Sequence, residues 1–166
     1  MQLWLRDTGS LTRRVIQACD KGTFRVRLLH QGWGTPLNSE RRILNMRRGV
    51  VAMVRDVELL CNENPWVFAR TLIPVTSLRG SARRLMQLGE KPLGAVLFSD
   101  PKVSRGSTQI AQLLPGHPLF SAACNHLDVT PASLWGRRTL FYVANDRPLL
   151  VNEIFLPGIP MEAGGC

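Results

Sequence analysis

Alternation of apolar and polar residues predicts β-strands along most of the chain. The expected strands cover residues 23–31, 49–60, 66–74, 107–114, 138–144 and 147–157. The sequence CNENP between the second and third strands is typical of a hairpin turn, and NDR has the same role before the last strand. Helices and strands are grouped rather than strictly alternating. The pattern therefore predicts an α+β fold with an antiparallel sheet.

Helical signals are fewer. Ser10 is a good capping residue, and the apolar periodicity after it predicts a helix over 10–20. A second helix is expected over 77–88, and KPLGAVLF is short enough for one helical turn. Residues 99–133 are expected to be loop apart from the strand already named. The whole chain of 166 residues, 1–166, fits one domain with helices packed on the sheet.

Three charged residues interrupt strand faces that are otherwise apolar. Residues two apart share a face of a strand, so Glu153 lies between Val151 and Phe155. In the same way, Arg55 lies among valines and a methionine, and Arg70 lies among aromatic side chains. A buried charge without a partner is strongly destabilising. Each of these residues therefore needs either an ion-pair partner or a ligand.

Two interpretations of these charges stay open. In the first, Glu153 forms an internal salt bridge with one of the two arginines, which leaves the other arginine over. In the second, all three charges line a pocket with apolar walls. Because a planar guanidinium grips carboxylates at two points, that pocket would bind a ligand with one or two carboxylates. Glu153 would then face a hydroxyl or a proton of the ligand.

The net charge of +9 and the pI of about 10.7 favour a negatively charged binding partner. Arginines occur as the adjacent pairs Arg13-Arg14, Arg41-Arg42, Arg47-Arg48, Arg83-Arg84 and Arg137-Arg138. This charge suits nucleic-acid binding or an enzyme that attracts a small anion, and any one pair also fits plain solvated surface. Because the chain has one tyrosine and no nucleic-acid-binding motif, we expect no nucleic-acid partner.

Cysteines and histidines show no spacing typical of a metal site, so no metal is expected. The N-terminus lacks the apolar core of a signal peptide. No apolar run approaches the length of a membrane span. We therefore expect a cytoplasmic protein with reduced thiols and no membrane span.

Four motifs occur in the order in which they stand in chorismate pyruvate-lyases: WVFARTLIPVTSL, LGEKPLGAVLF, LWGRR and RPLLVNEIFLP. The chain resembles the chorismate lyase family from about residue 9 to residue 160. The resemblance implies a single domain around a six-stranded antiparallel sheet, with the ligand enclosed under two flaps. It also implies a monomer, without cofactor or metal, that eliminates pyruvate from chorismate to give 4-hydroxybenzoate, the first committed step of ubiquinone biosynthesis.

The resemblance also implies the site residues. Arg55 and Leu93 match residues of the family that bind the ligand, and Leu11 stands where the family has a methionine. Arg70 matches a second pocket arginine, and Glu153 matches the family's glutamate. We expect Arg55 to hold the ring carboxylate of chorismate and Glu153 to meet its ring hydroxyl. Arg70 is expected to meet the enolpyruvyl group, which makes Glu153 and Arg70 the catalytic pair.

A non-catalytic alternative stays open, because the effector-sensing domains of one class of bacterial transcription regulators share this fold. Those regulators carry an N-terminal winged helix, and a first strand near residue 23 leaves no room for one. The loop over 100–133 looks longer than in the family and would alter turnover if it formed part of a flap. The lyase motifs, which include Glu153, favour the enzyme.

Overall fold

A single antiparallel sheet organises residues 1–143 and 146–161, the part of the chain that the computed structural model describes. Its six strands are β1 (Phe24–Gly34), β2 (Ala52–Cys61), β3 (Asn64–Pro74), β4 (Ser104–Leu113), β5 (Leu134–Val143) and β6 (Arg147–Phe155). Their spatial order is β1-β2-β3-β6-β5-β4. The last strand in the sequence therefore lies in the interior of the sheet, beside β3. The predicted antiparallel α+β fold is confirmed.

Short helices cover both faces of the sheet. They are α1 (Gln2–Arg6), α2 (Leu11–Cys19), α3 (Asn38–Ile43), α4 (Leu93–Leu97) and α5 (Pro118–Cys124), with 3₁₀ segments at Val75–Ser77 and Gly80–Gln87. We call the side of the sheet that carries Arg55 and Glu153 the front face. Helices α1, α2 and α4 pack on the front face, and α5 packs on the back face. No helix in the described part of the chain is both long and apolar enough to cross a membrane.

The front core consists of two clusters of buried side chains. In one, Trp4 of α1 and Val15 of α2 pack with Phe155 of β6. In the other, Leu97 of α4 packs with Phe141 of β5, together with side chains of the longer 3₁₀ segment. The two clusters meet around a cavity that receives side chains from both.

The helices were predicted less well than the strands. The predicted helix after Ser10 is confirmed as α2, and the Ser10 hydroxyl accepts a hydrogen bond from the Arg13 amide at 3.4 Å. The predicted helix over 77–88 is a 3₁₀ segment with a later start. Helices α1, α3 and α5 were missed, because five to seven residues are too few to show a clear helical period.

The expectation of reduced thiols is wrong for one pair of cysteines. Cys19, at the end of α2, and Cys61, at the end of β2, form a disulfide. The bond ties the last turn of α2 to the sheet. Cys124 is the free cysteine among the described residues.

Candidate active site

The register of the sheet brings Arg55 and Glu153 onto the same face. Arg55 is opposite Thr71 of β3, which is opposite Val151 of β6. Glu153 lies two residues beyond Val151 on the same side of β6. From strand spacing and rise, the Cα atoms of Arg55 and Glu153 are about 12 Å apart. The two side chains therefore face the same space over the front of the sheet.

A narrow cavity of about 50 Å³ lies over these residues. Its floor is the front face of β1, β2, β3, β5 and β6, and its roof comes from the start of α2 and from α4. The structure brings together four of the five predicted site residues here: Leu11, Arg55, Leu93 and Glu153. The other lining residues are Thr12, Val26, Val57, Leu59, Ala69, Thr71, Pro92, Gly94, Leu97, Phe98, Phe141 and Val151. The wall is therefore mainly apolar.

Close packing of α2 against α4 closes the roof. A side chain on Gly94 would place its Cβ 3.0 Å from the Ser10 hydroxyl and 3.3 Å from the Thr12 hydroxyl. Contacts this short are tighter than ordinary van der Waals packing. The glycine in the sequence KPLG therefore lets α4 approach the first turn of α2 and bring Leu93 over the cavity.

Arg55 is a buried guanidinium without a carboxylate partner among the described residues. Its side chain is 3% exposed, and Nη2 donates to the carbonyl oxygens of Gly89 and Lys91, both at 2.8 Å. Its Nε is buried and has no hydrogen-bond partner in the described part of the chain. Burial lowers the pKa of Arg55, because the charged form loses solvation. The two carbonyls hold the guanidinium in place, and its charge is available to an anion in the cavity.

Glu153 forms a salt bridge, but neither of the two arginines considered from the sequence is its partner. Arg137 of β5 donates from Nε to Glu153 Oε2 at 2.5 Å, and it is 3% exposed. Its Nη1 also donates to the carbonyl oxygens of Trp4, at 3.0 Å, and Asp7. Glu153 remains on the cavity wall. The first interpretation is therefore wrong about the partner of Glu153, and the second is correct in placing Glu153 and Arg55 at the cavity.

The prediction that Arg70 shares this pocket is wrong. Glu153 is opposite Ala69, so Arg70 points to the back face of the sheet. There Arg70 Nε donates to Glu40 Oε1 at 3.1 Å, and Nη1 lies 3.3 Å from Asp56 Oδ2. Glu40 is fully buried at the start of α3. Arg70 therefore anchors α3 to the back of the sheet.

A narrow, mainly apolar cavity whose buried guanidinium has no carboxylate partner among the described residues is typical of proteins that bind a small carboxylate. No group of three His, Cys, Asp or Glu side chains among the described residues is placed to hold a metal ion. The family model of chorismate lyase matches residues 1–163. The chain belongs to the chorismate lyase family.

Similar proteins agree with this assignment. A probable chorismate pyruvate-lyase of Nitrosomonas europaea is 43% identical over 156 residues, covering 94% of this chain and 86% of the relative. A probable chorismate pyruvate-lyase of Nitrosospira multiformis is 42% identical with the same coverage. The effector domain of PhnF from Mycobacterium smegmatis has a TM-score of 0.63 at 15% identity, covering 91% of this chain and 90% of that domain. At that identity the structural likeness shows the fold alone.

Proposed function

We propose that this chain is a chorismate pyruvate-lyase and that its front cavity binds chorismate between Arg55 and Glu153. The observation that carries the proposal is the buried guanidinium of Arg55, which has no carboxylate partner in the described part of the chain and shares an apolar cavity with Glu153. Chorismate has a ring carboxylate and, at the opposite end of the ring, a hydroxyl beside the enolpyruvyl ether. Arg55 holds the carboxylate, and Glu153 accepts a hydrogen bond from the hydroxyl.

The reaction needs orientation more than it needs strong acids or bases. The ether bond between ring and enolpyruvyl oxygen breaks, and the ring loses the hydrogen on the carbon that bears the hydroxyl. The enolpyruvyl methylene carbon gains a proton, so the products are pyruvate and the aromatic 4-hydroxybenzoate. Aromatisation makes the step favourable. The protein fixes the two ends of the ring and excludes water.

A direct assay tests the proposal. Purified protein is mixed with chorismate, and 4-hydroxybenzoate and pyruvate are measured by chromatography against a protein-free control. We expect both products in equal amounts. Binding of chorismate without turnover would contradict the lyase and support an effector-sensing module of the same fold.

The proposal includes a cytoplasmic monomer that works without metal or cofactor. The cavity lining bears only on the metal and the cofactor: its polar side chains are those of Arg55, Glu153 and two threonines. Activity that survives dialysis against EDTA, together with a sedimentation mass near the 18.5 kDa of one chain, is the expected result. Loss of activity that added metal restores would contradict this part of the proposal.

Product release is expected to limit turnover. The cavity of about 50 Å³ is far smaller than a typical ligand site of roughly 300–1,000 Å³. The roof formed by α2 and α4 must therefore open for each product molecule to leave. In a stopped-flow experiment, we expect a burst of 4-hydroxybenzoate close to one equivalent of protein, followed by a slower linear phase. A linear time course from the first turnover would contradict this prediction.

An Arg70→Met variant is expected to lose stability rather than ligand affinity. Removing one partner of a buried ion pair costs about 3–5 kcal/mol, and the substitution leaves the buried Glu40 without its guanidinium. Urea denaturation should show this loss, while the folded variant binds 4-hydroxybenzoate within about twofold of wild type. Arg42→Met, on the exposed side of α3, is the control for lost charge. Unchanged stability together with weaker binding of 4-hydroxybenzoate would contradict this prediction and indicate that Arg70 contacts the ligand.

A further inference from the structure

The second carboxylate of the substrate has no partner so far. Chorismate carries one carboxylate on the ring and one on the enolpyruvyl group, and Arg55 accounts for the first. Arg70 lies on the back face, and Arg137 is already bound to Glu153 and two backbone carbonyls. A further cation near Glu153 would give the enolpyruvyl carboxylate a charged partner.

A β-bulge in the edge strand β4 places Arg105 on the front face. Arg105 is opposite Phe141, but Thr108 is opposite Thr139, so β4 has one residue more than β5 over this stretch. With regular pairing, Arg105 would be opposite Tyr142, whose side chain points to the back. The extra residue therefore turns Arg105 towards the side that holds the cavity.

The bulge depends on a glycine. A Cβ on Gly106 would lie 2.6 Å from Tyr142 Cε2 and 3.3 Å from the Leu140 carbonyl oxygen. A larger residue therefore clashes with β5 at this position. Gly106 therefore allows β4 to pair with β5 in this way.

The contacts of Arg105 place its guanidinium at the rim of the cavity. It lies over the ring of Phe141, a cavity-lining side chain, at 5.7 Å from the centroid. Its Nη1 donates to the carbonyl oxygen of Thr8, two residues before the cap of α2. No described carboxylate lies within ion-pair distance of Arg105, and the guanidinium is only half-buried.

The electrostatic environment agrees with this position. Burial lowers the pKa of Arg105, and the positive charge of Arg137 lowers it further, whereas Glu153 and Asp7 act in the opposite direction. Arg105 therefore interacts electrostatically with the charged groups at the Glu153 end of the cavity.

We propose that Arg105 forms a second carboxylate subsite at the rim of the cavity, which binds the enolpyruvyl carboxylate of the substrate. The inference rests on the proposed function. In the sheet, Arg55 is on β2, Glu153 on β6 and Arg105 on β4, so the carboxylate of Glu153 lies between the two guanidiniums. Chorismate has the same order of groups: ring carboxylate, hydroxyl with the neighbouring ether, and side-chain carboxylate. A rim position also lets pyruvate leave first.

An Arg105→Ala variant tests the subsite through two ligands. Loss of a hydrogen-bonded charged partner corresponds to a roughly ten- to hundredfold loss, which we expect in kcat/KM for chorismate. The product 4-hydroxybenzoate lacks the second carboxylate, so its Kd is expected to stay within about twofold of wild type. Arg55→Met, in contrast, is expected to weaken the binding of both ligands. Arg105→Lys keeps the charge without the planar fork and is expected to recover part of the loss.

Arg138→Ala is the matched control, because Arg138 is on the neighbouring strand β5, faces the back and contacts Gln109. This substitution removes the same charge. We expect it to leave both kcat/KM for chorismate and the Kd of 4-hydroxybenzoate unchanged. Wild-type kcat/KM in Arg105→Ala, or an equal loss for both ligands, would overturn the subsite. An inactive wild type would instead overturn the lyase function, and calorimetric binding of chorismate to wild type and Arg105→Ala would still report on the subsite.

Discussion

Replacing Arg55 with methionine is expected to cost about 2–5 kcal/mol of substrate binding, which is a roughly 30- to 4,000-fold fall in kcat/KM for chorismate. The reason is that Arg55 is the buried cation in the cavity without an internal carboxylate among the described residues. Methionine keeps most of the side-chain volume and removes the charge. The loss should also appear as weaker binding of 4-hydroxybenzoate, measured by calorimetry.

The stability of this variant separates binding from folding. Removing the guanidinium relieves the cost of burying an unpaired charge. It also takes a donor from the carbonyl oxygens of Gly89 and Lys91. Because these effects oppose each other, the loss of activity should be much larger than the change in the free energy of unfolding. Arg55→Lys is the control that keeps the charge. Full activity in a folded Arg55→Met variant would show that Arg55 does not bind the substrate.

The strand pattern predicted most of the cavity floor. Period-two alternation identified Arg55 and Glu153 as charges on apolar faces, and both lie on the front face. Leu11 and Leu93 come from roof helices far apart in the sequence, and alternation within strands carries no information about them. Their place came from the resemblance to the family.

The error over Arg70 has a simple physical cause. Alternation shows which residues of one strand share a face, but it does not show which face of one strand joins which face of the next. That depends on the pairing register, which here sets Ala69 rather than Arg70 opposite Glu153. A shift of one residue would have exchanged the two faces of β3.

Arg137 was missed because the predicted strand began at residue 138, whereas β5 begins at Leu134. The pair Arg137-Arg138 then looked like surface charge. Within β5 the two arginines point to opposite faces, so one of them must lie over the front of the sheet. This signal was present in the sequence, but only the pairing of β5 with β6 sets Arg137 opposite Glu153. The bulge that aims Arg105 likewise depends on how β4 pairs with β5.

A Glu153→Gln variant is expected to lose roughly ten- to hundredfold in kcat/KM, the range for a hydrogen bond to a charged group. Arg137 binds one oxygen of the carboxylate, which leaves the other oxygen to accept from the ring hydroxyl. Glutamine leaves the buried guanidinium of Arg137 without its ion-pair partner, so the free energy of unfolding should fall by about 3–5 kcal/mol. Steady-state rates and urea denaturation measure the two effects.

The pH profile decides whether Glu153 also moves a proton. If it only holds the hydroxyl, the plot of kcat against pH should have the same shape in wild type and in Glu153→Gln. General acid–base catalysis contributes about 10²- to 10⁴-fold, so a larger loss together with a missing limb of the profile would contradict the holding role. Arg137→Met is the matched comparison. It keeps the carboxylate and removes its anchor, so it should lose stability like Glu153→Gln but keep the group that would move the proton.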